Sequence, residues 1–160
     1  ELFAAAGPSH VSVRQIAARA GVNHGLVHYY FGSKDALLAA VLDACADAVA
    51  RELDRADDVT SLMQPGSAVA RHARILAHVI LDAGDPAAIQ HDFPAQRLLV
   101  DRFGARGHSK AEARARAAQV SALVLGWELF GGFLATASGL PATATQRAAG
   151  LDDAIRRLIS

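Results

Sequence analysis

Arg14, His24, His28, Tyr29, Tyr30 and Lys34 fall within one short stretch and supply positive charge, hydrogen-bond donors and ring faces. None of them stands beside a nucleophile at hydrolytic spacing. What they can do together is hold a phosphate backbone and reach base edges. From Leu2 to Lys34 there is no Asp or Glu, while Arg14, Arg19 and Lys34 are basic and His10, His24 and His28 add donors that can become positive beside phosphate. Acidic residues return at Asp35 and continue through Asp43, Asp47, Glu52, Asp54, Asp57 and Asp58. The whole chain is neutral, 16 basic residues against 16 acidic ones, so the patch is local. Phosphate is felt locally, which makes the patch rather than the average the relevant quantity. His24 and His28 also stand at i, i+4, a spacing that can hold a metal. With no Glu between them and no third ligand nearby, a nucleic-acid-facing pair is the better reading.

The elements that must position these groups are short helices. Ser12 can accept from the free N–H groups that open a helix, and Val13, Ile16, Ala17 and Ala20 then recur at helical spacing. Gly21 stands where a left-handed residue ends the helix. Val22 is expected to turn inward and Asn23 to cap a second helix whose buried side is Val27 and Phe31. That leaves His24, Gly25, His28 and Tyr29 outward. Gly32 and Ser33 stop this helix, and Ser33 caps another beginning at Lys34. Two short helices joined by a tight turn make a helix-turn-helix.

The stretch ELFAAAGPSHVSVRQIAARAGVNHGLVHYYFGSKDALLAAVL resembles the DNA-binding domain of TetR/AcrR-type transcriptional regulators. The matching features are Arg14, Ile16 and Ala17, then Ala20 to Val22, then Tyr30 to Lys34. The resemblance places Arg14, Asn23, His24, Gly25, His28, Tyr29, Tyr30 and Lys34 on the DNA-binding surface. It implies that Arg14 and the outward helix positions reach bases while Tyr30 and Lys34 hold phosphates. Leu26 stands where the family often has Thr, and His28 where Tyr is frequent, so this chain is poorer in neutral phosphate donors.

The rest of the chain reads as helical, and no strand-like alternation occurs, so the fold class is all-α. The 160 residues are 52% hydrophobic and 20% charged, ordinary for a folded protein. The expected organisation is a DNA-binding domain over residues 1–42 and a helical regulatory and dimerisation domain over 43–160. Leu2 and Phe3 should pack on Ile16, Val27 and Phe31. Because the sequence opens without Met and apparently inside a helix, the start of that helix is expected upstream. Leu37, Leu38, Val41, Leu42, Cys45, Val49 and Leu53 give a long helix, Lys34 to about Arg55, that links the two domains. Further helices are expected over Ser67 to Ala83, Pro86 to Gln90, Pro94 to Phe103, from Ser109 onward, and over Ala144 to Ile159, with a connection from Ala56 to Gly66. The lone Cys45 excludes an internal disulfide and suits a reducing compartment; it reads as a buried spectator.

Val120 to Leu140 carries one charge, Glu128, and passes a length test for a membrane span. The mid-span carboxylate and the charged run from Lys110 to Arg116 favour a soluble helix buried between its own domain and a partner subunit. Leu123, Gly131, Leu134, Leu151 and Ile155 are the expected interface residues. A ligand pocket is expected at His72, Leu76, Phe93, Phe103, Trp127 and Phe130, with Glu128 either anchoring a ligand there or pairing with an Arg across the dimer. His72 and His78 read as partly buried histidines. The resemblance then implies a ligand-responsive regulator, most often a repressor. It would bind a palindromic operator in double-stranded DNA as a cytoplasmic homodimer and be released by a small-molecule effector, with no cofactor, metal or membrane. Alternatives are a dimeric DNA-binding regulator without a ligand, and a helical enzyme or metal protein. The last lacks a phosphate loop, an HExxH and a CxxC pair.

Overall fold

The computed structural model describes residues 1–56 and 66–140, and among these every regular element is helical. Helix α1 (Leu2–Ala6) stops at Gly7, and a 3₁₀ turn (Pro8–His10) follows. Helices α2 (Val13–Ala20) and α3 (His24–Phe31) form the helix-turn-helix, joined through Gly21 in the left-handed conformation at φ 69° and ψ 27°. Then come α4 (Lys34–Arg55), α5 (Ala68–Leu81), a single turn α6 (Pro86–Ile89), α7 (Pro94–Ala105) and α8 (Lys110–Ala137). The expected helix over residues 144–159, with Leu151 and Ile155, lies outside the described residues, as does most of the connection over 56–66.

The starts of these helices follow from side-chain oxygens placed where backbone N–H groups lack partners. Ser12 accepts from the Gln15 amide, and Gln15 Oε1 accepts from the Ser12 amide at 2.8 Å, closing a reciprocal capping box. Asn23 Oδ1 accepts from Gly25 N at 2.8 Å, and Ser33 Oγ from Ala36 N at 3.0 Å. Ser67 caps α5, and Ser109 with Glu112 makes a second box on α8. The bonds from Ser109 hold the Glu112 carboxyl below the usual carboxylate range.

Two hydrophobic clusters fill the molecule. The first joins Phe3, Val11, Ala17, Val27, Leu37, Leu38 and the fully buried Leu42 to Ile75 and Val79 of α5. The second joins Val69, Phe103, Ala113, Ala117, Val120 and Val124, with Val49, Leu53 and Trp127 against it. Both α4 and α5 therefore run through both clusters, and the expected division after residue 42 falls within α4. Val22 and Phe31, which the sequence pattern places inward, are exposed at 44% and 39%. Phe31 belongs to neither cluster, because the helix ends there and the first cluster closes over Val27.

Helix α8 buries one stripe, Ala113, Ala117, Val120, Val124, Gly131 and Ala135. It is not buried on all sides: in its last three turns Leu129, Phe130, Phe133 and Leu134 are exposed. By length and composition it is, among the described helices, the one that could cross a membrane.

The 3₁₀ turn is tied to both long helices. Lys34 Nζ donates to the carbonyls of Pro8 at 3.0 Å and Val11 at 3.4 Å, and the Ser9 hydroxyl donates to the Asp82 carboxylate at the end of α5. Gly7 is buried against the His78 ring, so close that a Cβ there would lie 2.9 Å from Nδ1. Its φ of 82° with ψ of 150° is a region that only glycine occupies without strain. Replacing Gly7 by Ala is expected to lower stability by about 1–3 kcal/mol, seen as a reduced denaturation midpoint with helical content unchanged at low denaturant.

Candidate nucleic-acid interface

Helix α3 buries one residue, Val27. The rest of its surface is open: Leu26 is half-exposed, and Tyr29 and Tyr30 are exposed at 81% and 73%. Their rings meet edge to face at 5.2 Å between centroids, which holds both on the surface. His28 Nδ1 lies 3.2 Å from the Gly32 carbonyl. A carbonyl can only accept, so Nδ1 carries the proton and the neutral ring presents Nε2 outward as an acceptor. Asn23 spends its side-chain oxygen on the cap and keeps its amide N–H groups. Gly25 leaves room for that cap, since a Cβ there would approach Asn23 Oδ1 to 3.3 Å.

On α2, Arg14 is exposed with no ion-pair partner among the described residues, whereas Arg19 is partly countered by Glu1 at 3.3 Å. Lys34 differs from the expectation of a free phosphate holder. Its ammonium is half-buried and already donates to two carbonyls, leaving one of its three donors. The sequence stretch holds no sign of this, because the acceptors are main-chain atoms of a turn 23 and 26 residues earlier.

Behind this head, α4 to α8 enclose a cavity of about 360 Å³, within the roughly 300–1,000 Å³ of small-molecule sites. His72, Leu76, Phe93 and Phe103 line it. Trp127 and Phe130, expected with them, do not: α8 contributes Val120, Ser121, Val124 and Leu125. Trp127 instead packs on the second cluster and over Gly131, where a Cβ would come within 3.1 Å of the indole, and Phe130 is 58% exposed on the outer side.

His72 Nε2 donates to Gln90 Oε1 at 2.8 Å, and the buried Gln90 passes the chain on to the Asp92 carbonyl. Gln96 Nε2 donates to Ser121 Oγ at 2.6 Å across the α7–α8 wall. The segment after α6 is fastened to α4 by Asp43, whose Oδ1 accepts from His91 N at 2.8 Å and Asp92 N at 3.2 Å. Partial burial alone would raise the Asp43 carboxyl, but these N–H bonds outweigh it and hold the group below its ordinary value.

Glu128 on α8 is a second half-buried carboxyl. Burial pushes it up, opposed by Arg74 of its own α5 at 3.9 Å. It does not line the cavity, and within the chain it meets Arg74. Of the expected interface residues, Leu123 packs on the second cluster, Gly131 is buried beneath Trp127, and Leu134 is exposed at 40%. No group of three or more His, Cys, Asp or Glu among the described residues is placed to hold a metal ion.

A family model described as "Bacterial regulatory proteins, tetR family" matches residues 1–41. The chain is 37% identical over 160 residues to the HTH-type transcriptional regulator Mb3439c of Mycobacterium bovis and to the HTH-type transcriptional repressor Rv3405c of Mycobacterium tuberculosis. Each alignment covers 99% of this chain and 84% of the relative. No solved structure matches the chain significantly.

Burial pushes the His72 imidazole below its ordinary value, with the Gln90 bond opposing. The unfolded chain then takes up that proton at a higher pH than the fold does. The contribution to stability is complete above about pH 6.5 and is lost as the pH falls toward the depressed value. Between about pH 7 and pH 5, the unfolding midpoint should therefore fall less steeply in His72→Gln than in the unaltered chain, measured by denaturant titration.

Proposed function

The chain belongs to the TetR family of bacterial transcriptional regulators, and on that premise we propose that it is a repressor. In this reading it grips an inverted-repeat operator as a homodimer and lets go when a small molecule fills the cavity. The family is one of DNA-binding regulators and not of enzymes, and one relative is itself named a repressor. The observation that carries the reading is α3, a helix with one buried residue and an outer face of His24, His28, Tyr29 and Tyr30.

A helix so exposed is suited to the major groove. Arg14, with its fork of donors, matches guanine, and the His28 Nε2 acceptor matches the amino group of adenine or cytosine. The Asn23 amide N–H groups and the Tyr30 hydroxyl serve the phosphates, with the last Lys34 donor beside them, and Gly25, which has no side chain, lets the DNA come close to α3. One such helix spans few base pairs, so a two-fold pair is needed for discrimination. The surface for pairing is the outer end of α8, where Phe130 and Phe133 are 58% and 72% exposed and Leu129 and Leu134 flank them. This assigns the apolar length of α8 to a partner subunit rather than to a membrane, and the protein to the cytoplasm where its DNA lies. Release follows from shared helices. Ala46, Val49 and Leu53 of α4 and His72 and Leu76 of α5 line the cavity, while the same helices hold the head through Lys34, His78 and Asp82. A ligand that fits better when α4 and α5 are displaced shifts the pair toward a spacing that misses the two half-sites.

Selection from a random duplex library is expected to enrich an inverted repeat with half-site centres about one helical turn apart. Arg14→Ala should cost roughly tenfold or more and relax the sequence at one position per half-site, whereas Tyr30→Phe should weaken all sequences alike. Enrichment of no sequence, or retention of full affinity by Arg14→Ala, would count against the assignment.

A further inference from the structure

The charges around the cavity are all of one sign. Among the described lining residues there are two arginines, Arg102 and Arg106, and no carboxylate. They stand one turn apart, Arg102 in the last turn of α7 and Arg106 at its C-cap, and the half-buried Arg102 and exposed Arg106 mark the open side of the cavity, its mouth. The polar groups deeper in are already matched to one another: His72 to Gln90, Gln90 to the Asp92 carbonyl, and Gln96 to Ser121. The remaining walls, among them Val49, Leu53, Leu76, Leu99, Phe103 and Val124, are hydrocarbon. An occupant therefore meets an apolar interior that asks for no hydrogen bonds and a cationic rim that does.

The arginines are available. Arg102 makes one contact with Asp54, Nη2 to Oδ1 at 3.4 Å, on a carboxylate that is 71% exposed. An exposed single-contact pair of that kind holds its partners weakly. Arg106 spends one N–H on the Arg102 carbonyl at 3.3 Å. A guanidinium has five donors, so most of both forks stay open. The C-terminal end of α7 carries a partial negative charge equivalent to about half an electron. That and the Asp54 carboxylate both oppose an anion, but the rim keeps a net positive charge, carried by Arg106 and the open donors of Arg102.

We propose that the cavity takes an apolar monoanion, a carboxylate or its equivalent on a hydrocarbon body of about ten carbons. The body would lie between α4, α5, α7 and α8, and the headgroup would span Arg102 and Arg106. This names the ligand class for the release reading above and rests on it. A neutral hydrocarbon would fill the same walls without engaging the rim, and a cation would be repelled by it. The ligand's length is bounded by the 360 Å³ of space, and its charge by the two side chains at the mouth.

The test uses the full chain without DNA and compares decanoate, decanol and decylammonium by calorimetric titration. Decanoate should bind at least tenfold more tightly than either of the others. The double variant Arg102→Gln with Arg106→Gln should reduce decanoate to the affinity of decanol while leaving decanol unchanged. Arg97→Gln, on the same helix but paired with Asp92 and outside the lining, should keep the preference. Equal binding of decanoate and decanol, binding of none of the three, or a preference that survives the double variant would overturn the proposal. DNA retention is scored in a separate band shift. If decanoate shows the preference but leaves the DNA complex intact, the ligand class stands and the release mechanism fails.

Discussion

The turn from Gly7 to Val11 fixes where the DNA-facing helices sit. It is gripped from two sides, by the Lys34 ammonium at the start of α4 and by His78 and Asp82 at the end of α5. The contact at Gly7 is steric and leaves no slack, because the backbone lies against an imidazole at a distance that any Cβ would violate. The first hydrophobic cluster repeats the arrangement, drawing Ile75 and Val79 of α5 into the same core as Phe3 and Val27. A long α4 suggests by itself a head swinging on one lever. With α5 sharing the grip, the head is positioned by two helices rather than one, and in the proposed reading a small shear between them would turn α3.

Those two helices are also walls of the cavity, so the constraint runs the length of the molecule. Asp43 strengthens the link, because it stands one residue from the fully buried Leu42 and holds the 91–92 backbone that runs between the lining residues Gln90 and Phe93. Packed interiors respond to a guest by moving between discrete arrangements rather than by stretching. In the proposed release reading, a cavity bounded by α4 and α5 on one side and by a segment fastened to α4 on the other would pass such a step to the Lys34 end. The energy needed is modest: a ligand has only to prefer one spacing of the two helices by an amount comparable with the operator's preference for the other.

What could be read from the sequence was what short-range chemistry determines. The caps at Ser12, Asn23, Ser33 and Ser109 and the stop at Gly21 depend on residues within three or four positions, and each stands where its spacing implies. The bounds of α4 follow from Ser33 at one end and the fading of its apolar stripe at the other. What could not be read was anything joining distant positions. Asp43 meets its partners 48 and 49 residues on, and Lys34 reaches back to carbonyls that carry no side-chain signature. Phe31 and Trp127 fail for a related reason. Periodicity gives the face of a helix but not where along it the neighbouring helices end. Phe31 lies past the edge of one cluster, and Trp127 lies past the cavity on α8.

Two of the exposed apolar surfaces among the described residues, on α3 and on the end of α8, differ in their surroundings, and that difference separates their proposed uses. On α3, Leu26, Tyr29 and Tyr30 are set among His24, His28, Arg14 and Lys34, a mixture matched to bases and phosphates. Along the end of α8, from Ser121 to Ala137, the one charged residue beside Leu129, Phe130, Phe133 and Leu134 is Glu128, and it is turned toward α5. Its side chain is 13% exposed and directed at Arg74 of α5. Burying that carboxyl is costly, as its raised protonation tendency shows, and one contact at 3.9 Å offsets the cost only in part. The arrangement keeps the outer face free of charge. A face meant for water gains nothing from such an expense, whereas a face that meets a second apolar surface loses a desolvation penalty across the whole contact. The inward Glu128 thus supports the proposed reading in which two copies join at the end of α8, a joint that would set the distance between their α3 helices.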